Sequence, residues 1–312
     1  KLKKIKQKEL TKKQQNTYMI LLDYLKRQKN LSMYPYYERI LGKTSGQQVQ
    51  ILLTLSEYRL KNEKDIKSYF QLLKGLDGYF DSLIEYSKEQ VKRNLFLSDQ
   101  SLKEVLQQIQ NVIKQKENNM LVATFNLRIA DIKGINAAQK KKYCRENKKL
   151  IGTKVLSAYE KLYSHLQALN GNGKNENGLY YYKNGKEYYK VLVAQKTGSD
   201  KTIEEMIEIS DRSIEKCLRK LIKLQKKYPN IINEYRNHKK NIKIVQNPQN
   251  ILNKLRQKMV KYYPKAPKVS CKIKYVHKTM EEYTSPAFYM VPAIDSYKEN
   301  VIYVNQAQTA EL

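Results

Sequence analysis

SDQSLKEVLQQIQNVI, residues 98–113, decides the fold class. Ser98 or Asp99 can accept the free backbone N–H groups at a helix start. Leu102, Val105, Leu106, Ile109, Val112 and Ile113 then return at the three-to-four spacing of one helix face. The same period extends outward in both directions. Toward the N-terminus, Ile20, Leu21, Tyr24 and Leu25 mark one helix. Residues 48–60 (Val49, Leu52, Leu53, Leu55, Tyr58) mark a second, 65–73 a third, and 79–94 (Phe80, Leu83, Ile84, Val91) a fourth. Loops fall at Asn30 to Pro35 and at Gly42 to Gly46, and Gly75 and Gly78 break the third helix from the fourth. Toward the C-terminus, residues 137–169 hold one helix or two, with Val155, Tyr159, Leu162 and Leu166 on one face. Residues 186–196 read as a short helix closed by Gly198. Thr202 with Glu205 fits a capping box, opening a helix that runs to about Lys227 and ends before Pro229.

After Pro264 and Pro267 the period changes from helix to strand. Residues 268–276 alternate with β-branched side chains, and 288–291 (FYMV) and 301–304 (VIYV) are short apolar runs. Three strands are expected, the last two able to pair as a hairpin with a long connection. The fold class is therefore mainly α (α+β): a large helical body, residues 1–265, followed by the first strands of a small sheet in 266–312. Neither end closes an element, so the chain is expected to be a fragment.

Composition excludes several classes. No apolar run approaches the ~18 residues of a membrane span, so no transmembrane segment is expected. Eleven Gly and seven Pro exclude collagen, and three distant cysteines (Cys144, Cys217, Cys271) exclude a disulfide scaffold. A net charge of +30 raises nucleic acid or an acidic surface as a partner. Against it, 50 of the 60 basic residues are Lys and only 10 are Arg, the bidentate reader of phosphate and guanine. The cations are spread over nearly every segment. A solvated-face reading is preferred, nucleic acid is not the expected partner, and the basic helical binding protein for nucleic acid or an acidic surface stands as the alternative.

Little of the chain carries metal or nucleophile chemistry. His165, His238 and His277 have no second ligand at zinc spacing, so no metal site is expected within the chain. His165 is expected to pack, and His277 lies beside the expected sheet. Cys144 and Cys217 sit on expected helices without a redox motif, as buried or half-buried inert thiols. The glycine-rich run 171–178 lacks a P-loop ending and reads as a connection. The most distinctive segment is TSPAFYMVPAID (284–295) with NVIYVN (300–305). It suits a hairpin kept off a central position by its prolines. Its strand edge could instead accept an extended peptide.

This last segment resembles part of a bacterial family, the domain of unknown function numbered 885, whose members are regarded as zincin-like zinc metallopeptidases. GNGKNENGLYYYKNGKEYYKVLVAQKTGSDKTIEEM, LGKTSGQQVQILLTLSEYRLKNEKDIKSYFQLL, NLFLSDQSL and LTKKQQNTYMILLDYL also fit, and the resemblance spans nearly the whole chain. The resemblance implies a His-Glu … Pro-Gly-His helix just downstream, holding zinc and a general base outside the chain. It thus implies zinc in the full-length protein, no catalytic residue and no cofactor here, and no activity for this chain alone. The substrate would be a peptide or a peptide-like amide. By zincin analogy Phe288, Tyr289 and Met290, or Tyr303 and Asn305, would border the substrate cleft, while Asp295 and Asn300 would fix the connection between strands. The three cysteines suit either redox compartment. Export, or attachment to the envelope of a bacterium, is the expected location.

Overall fold

The computed structural model describes residues 2–43, 46–173, 177–241, 247–264, 269–276, 278, 281, 284–292 and 297–307. Among them are twelve α-helices: α1 Lys12–Leu31, α2 Gln47–Ser56, α3 Glu63–Lys74, α4 Leu76–Lys92, α5 Asp99–Lys114, α6 Met120–Ala130, α7 Ala137–Leu150, α8 Leu156–Ala168, α9 Gly185–Thr197, α10 Ile203–Lys227, α11 Ile231–Asn241 and α12 Pro248–Met259. Three strands follow, β1 Ser270–Tyr275, β2 Ala287–Met290 and β3 Glu299–Val304. The mainly helical class with a small C-terminal sheet is thus observed. The chain divides into two compact units, Lys1–Lys196 with His277–Tyr283, and Thr197–Val276 with Thr284–Leu312.

Local chemistry sets the helix boundaries in the first unit. Ser98 caps α5, its hydroxyl accepting the Ser101 N–H at 3.3 Å. Asp99 does something else: its Oδ1 accepts the N–H groups of Gly171 (3.0 Å) and Gly173 (3.1 Å), tying that loop to the start of α5. Gly173 admits no side chain, since a Cβ there would lie 2.5 Å from the Asp99 nitrogen. The helix expected over 48–60 stops at Ser56. Arg128 reaches the Tyr58 carbonyl at 2.5 Å, so a tertiary donor takes the acceptor that a longer helix would orient along its own axis. Residues 137–169 form α7 and α8 joined by a π-helical turn, Ile151–Val155, that keeps both of its end residues buried. The apolar face expected for α1 is not covered: Ile20 is 72% exposed, and Tyr18 is the residue of α1 that is buried.

The core of this unit centres on α8. Tyr159 meets Phe80 of α4 edge to face at 4.7 Å, and Val105, Ile109 and Leu162 are buried on the facing surfaces of α5 and α8. A second cluster joins α3 and α6, where Phe125 stacks on Tyr69 at 5.5 Å and on Phe70 at 5.7 Å. Sequence periodicity did not single out α6, whose helix begins with Asn119 accepting the Leu121 N–H at 2.9 Å.

In the second unit the sheet order is β1-β3-β2. β1 runs parallel to β3, and β2 antiparallel to it. The C-terminal hairpin is therefore β2–β3, and β3, the last strand, takes the centre. Arg256 of α12 reaches the Val269 carbonyl at 3.4 Å, at the entry to β1.

Two outcomes follow for stability. Phe125→Ala should cost about 3–5 kcal/mol in denaturant unfolding, as a large core aromatic deletion does. Burial pushes the Tyr69 phenol up to about 12 from 10.0, and burial raises Tyr159 as well. A folded-state pKa raised above the unfolded value means that stability is full below pH 10 and falls as pH climbs toward 12. Circular dichroism and tyrosinate absorbance, followed together against pH, should show the last phenols ionising as the fold is lost; ionisation of all 26 tyrosines while the fold persists would contradict this.

Candidate functional site

Of the sequence-expected cleft residues, Phe288, Tyr289, Met290 and Tyr303 lie on the second unit's sheet, with Asn305 just after β3, and the backbone alternation sorts them by face. The β2–β3 register pairs Ala287 with Val304, Phe288 with Tyr303, Tyr289 with Ile302 and Met290 with Val301. Phe288 and Met290 therefore share one face with Val301 and Tyr303. Phe288 stacks on Tyr303 at 5.0 Å, and Lys274 Nζ sits 5.9 Å above the Tyr303 ring. Tyr289 and Asn300 lie on the opposite face. The Tyr289 hydroxyl donates to Asn300 Oδ1, and Asn300 Nδ2 donates to the carbonyls of Ser270 (3.2 Å) and Tyr297 (3.3 Å). Asn305 is fully buried, its amide on the Thr284 carbonyl and hydroxyl at 3.1 Å each. Tyr289 is half exposed and Tyr303 is buried. Asp295 lies outside the described residues.

The edge of β2 has a definite hydrogen-bonding sense. Asn305 N–H donates to the Pro286 carbonyl at 2.8 Å, which makes 286 and 305 a hydrogen-bonded pair. Antiparallel pairs alternate, so Phe288 and Met290 turn their backbone groups toward β3, while Ala287 and Tyr289 turn theirs away. On β3's other side the carbonyls of Lys298 and Val304 accept from Ser270 and Val276, the complementary phase. Among the described strands nothing pairs with the outer side of β2.

The remaining candidates are inert or displaced. His165 is exposed rather than packed, its Nδ1 2.9 Å from the Lys161 carbonyl of its own helix. His277 lies outside the described residues. Cys144 is half-buried, and burial raises its thiol pKa. Cys217 is exposed, contrary to expectation, because no residue of α10 is buried. No group of three or more His, Cys, Asp or Glu able to hold a metal occurs among the described residues. Among the described residues, no helix is long and apolar enough to cross a membrane.

Sequence reasoning missed a cavity of about 1060 Å³ in the first unit. Six tyrosines line it, Tyr34, Tyr36 and Tyr37 from one run, Tyr182 and Tyr188 from another and Tyr86 from α4, together with apolar and polar side chains such as Leu31, Leu192, Arg39 and Gln195. Tyr37 lies 5.5 Å from Tyr34, 4.9 Å from Tyr188 and 6.1 Å from Tyr182. Gln90 holds the wall by donating to the Tyr36 (2.8 Å) and Glu38 (3.1 Å) carbonyls, and Tyr37 donates to the Lys183 carbonyl. Burial first, then the Glu38 charge, pushes the Tyr86 phenol up to about 12. Burial raises Tyr37, Tyr182 and Tyr188 as well, so these four phenols stay neutral at physiological pH and present ring faces and hydroxyls rather than a general base. Gln195 Oε1, on the same wall, is a buried acceptor without a protein donor. The signal in the sequence was the clustering of tyrosine in two short runs far apart in the chain.

Known proteins resemble this chain at two levels. The structure from Colwellia psychrerythraea described as "the putative lipoprotein" superposes with a TM-score of 0.73 at 14% identity, covering 86% of this chain and 49% of that one. The likeness is one of fold, and the chain spans about half the length of that relative. No curated protein matches. A family model described as "Bacterial protein of unknown function (DUF885)" matches residues 1–312. The chain, with its helical first unit and its mixed three-stranded sheet, belongs to that family.

Proposed function

We propose that this chain forms the scaffold and substrate-aligning strand of a zinc-dependent, peptidase-like hydrolase acting on peptide or amide bonds. The observation that carries the reading is the outer edge of β2. Ala287 and Tyr289 there turn their N–H and C=O groups away from β3, and an extended peptide could bond to them as a fourth strand. Tyr289, anchored through Asn300, stands beside that edge as a half-exposed ring against which a substrate side chain could rest.

The described residues do not by themselves fit a zinc ion, because none of them gather into a ligand set. In this reading the metal and its base come from the remainder of the full-length protein. The chain's own part is to bind and orient: it fixes the scissile amide in an extended conformation, so that reaction begins from a near-attack geometry. Attachment to the cell envelope belongs to the same proposal, supported by the lipoprotein description of the Colwellia chain.

Ala287→Pro separates the edge from the fold. It deletes one outward N–H at an edge position, where proline is tolerated. In the full-length protein it should leave circular dichroism unchanged and lower kcat/KM on extended peptides by about tenfold, the worth of one hydrogen bond near 1.4 kcal/mol. Ala287→Gly, which retains the N–H, should stay close to wild type. Equal rates for the Pro variant would remove β2 from substrate alignment. A full-length protein that cleaves no peptide or amide would remove the hydrolase reading altogether.

A further inference from the structure

We infer that α10 is a self-association helix, pairing antiparallel with α10 of a second copy of the chain. Helix α10 is 25 residues long, and none of its residues is buried. Ile207, Ile214, Leu221 and Leu224 remain between 47% and 56% exposed. A helix without tertiary packing is marginal in water, and an apolar stripe left open on it calls for a partner. The stripe has a definite period. Positions 207, 210, 214, 217, 221 and 224 alternate steps of three and four, the seam of a two-stranded coiled coil.

Charge selects both the occupant and its direction. From Glu204 to Glu215 the helix carries five acids and one cation (Arg212); from Lys216 to Lys227 it carries six cations and no acid. A parallel pair would set like halves against each other. An antiparallel pair sets the acidic half of each copy over the basic half of the other, and opposes the two helix dipoles. An anionic lipid surface would attract one half and repel the other, so it matches the helix less well than a second copy does. The seam closes in the antiparallel sense with every layer filled: Ile207 faces Leu224 of the second copy, Ser210 faces Leu221, and Ile214 faces Cys217, each layer occurring twice by the two-fold axis. That places Cys217 inside the seam and accounts for an exposed thiol in the single chain.

The test uses the full-length protein with Cys144 and Cys271 changed to Ser. Sedimentation at micromolar concentration should give a dimer, and Ile214→Asp should give a monomer that loses at most the helical content of α10. Because Ile214→Asp could also disturb folding, disulfide trapping supplies an independent measurement. Ile214→Cys, facing the native Cys217 of the second copy, should cross-link the dimer on mild oxidation. Leu221→Cys combined with Cys217→Ser should not, because position 221 meets itself only in a parallel pair. A wild-type protein that stays monomeric overturns the inference, whether or not it binds anionic vesicles. So does cross-linking through position 221 alone.

Discussion

Two buried amides hold the first unit in register. Gln48 of α2 donates to Gln108 of α5 at 3.0 Å and to the Gly42 carbonyl at 2.7 Å, while Gln108 donates to the Lys43 carbonyl at 2.7 Å. The Tyr159 hydroxyl of α8 closes the set on the Gln48 carbonyl at 2.6 Å. Backbone carbonyls turned toward the interior cost free energy unless they are bonded, and here side chains from two helices satisfy those of Gly42 and Lys43. The turn must be tight for this to work. A Cβ on Gly46 would lie 2.4 Å from the Gly42 nitrogen, so only glycine lets the chain double back. Once α2, α5 and α8 are joined this way, the aromatic contacts of α3, α4 and α6 have a fixed surface to meet.

The tyrosine cavity uses the same device of side-chain amides bonded to loop carbonyls. Gln90 grips residues 36 and 38 as Gln48 and Gln108 grip 42 and 43, so one loop is held from both ends. Tyr36 itself sits at φ +70°, a conformation that a bulky residue adopts only when its surroundings hold it. Arg93, 4.4 Å above its ring, and Tyr86, 5.0 Å away, are those surroundings.

The second unit is built differently. Its sheet is small, its order puts the last strand in the centre, and its long helix has no buried residue. The strand addition proposed at β2 and the helix pairing proposed at α10 are two modes of association that need no preformed pocket.

Much of the local structure is legible in the residues themselves. The Ser98 cap, the Thr202–Glu205 capping box and the strand periods at 270–275 and 301–304 all depend on neighbours a few positions away, and they appear where the sequence predicts them. The three-to-four period alone also placed most helices of the first unit. What the period could not supply is partnership. It marked an apolar face on α1 that stays exposed, carried α2 past the point where Arg128 draws off the Tyr58 carbonyl, and grouped Phe288, Tyr289 and Met290 without assigning their faces. Those outcomes depend on groups distant in sequence, as do the central position of β3 and the meeting of two tyrosine runs around one cavity. Hydrogen-bond phase along β2 and burial around α8 are decided by which surfaces come together, and only the tertiary structure decides that.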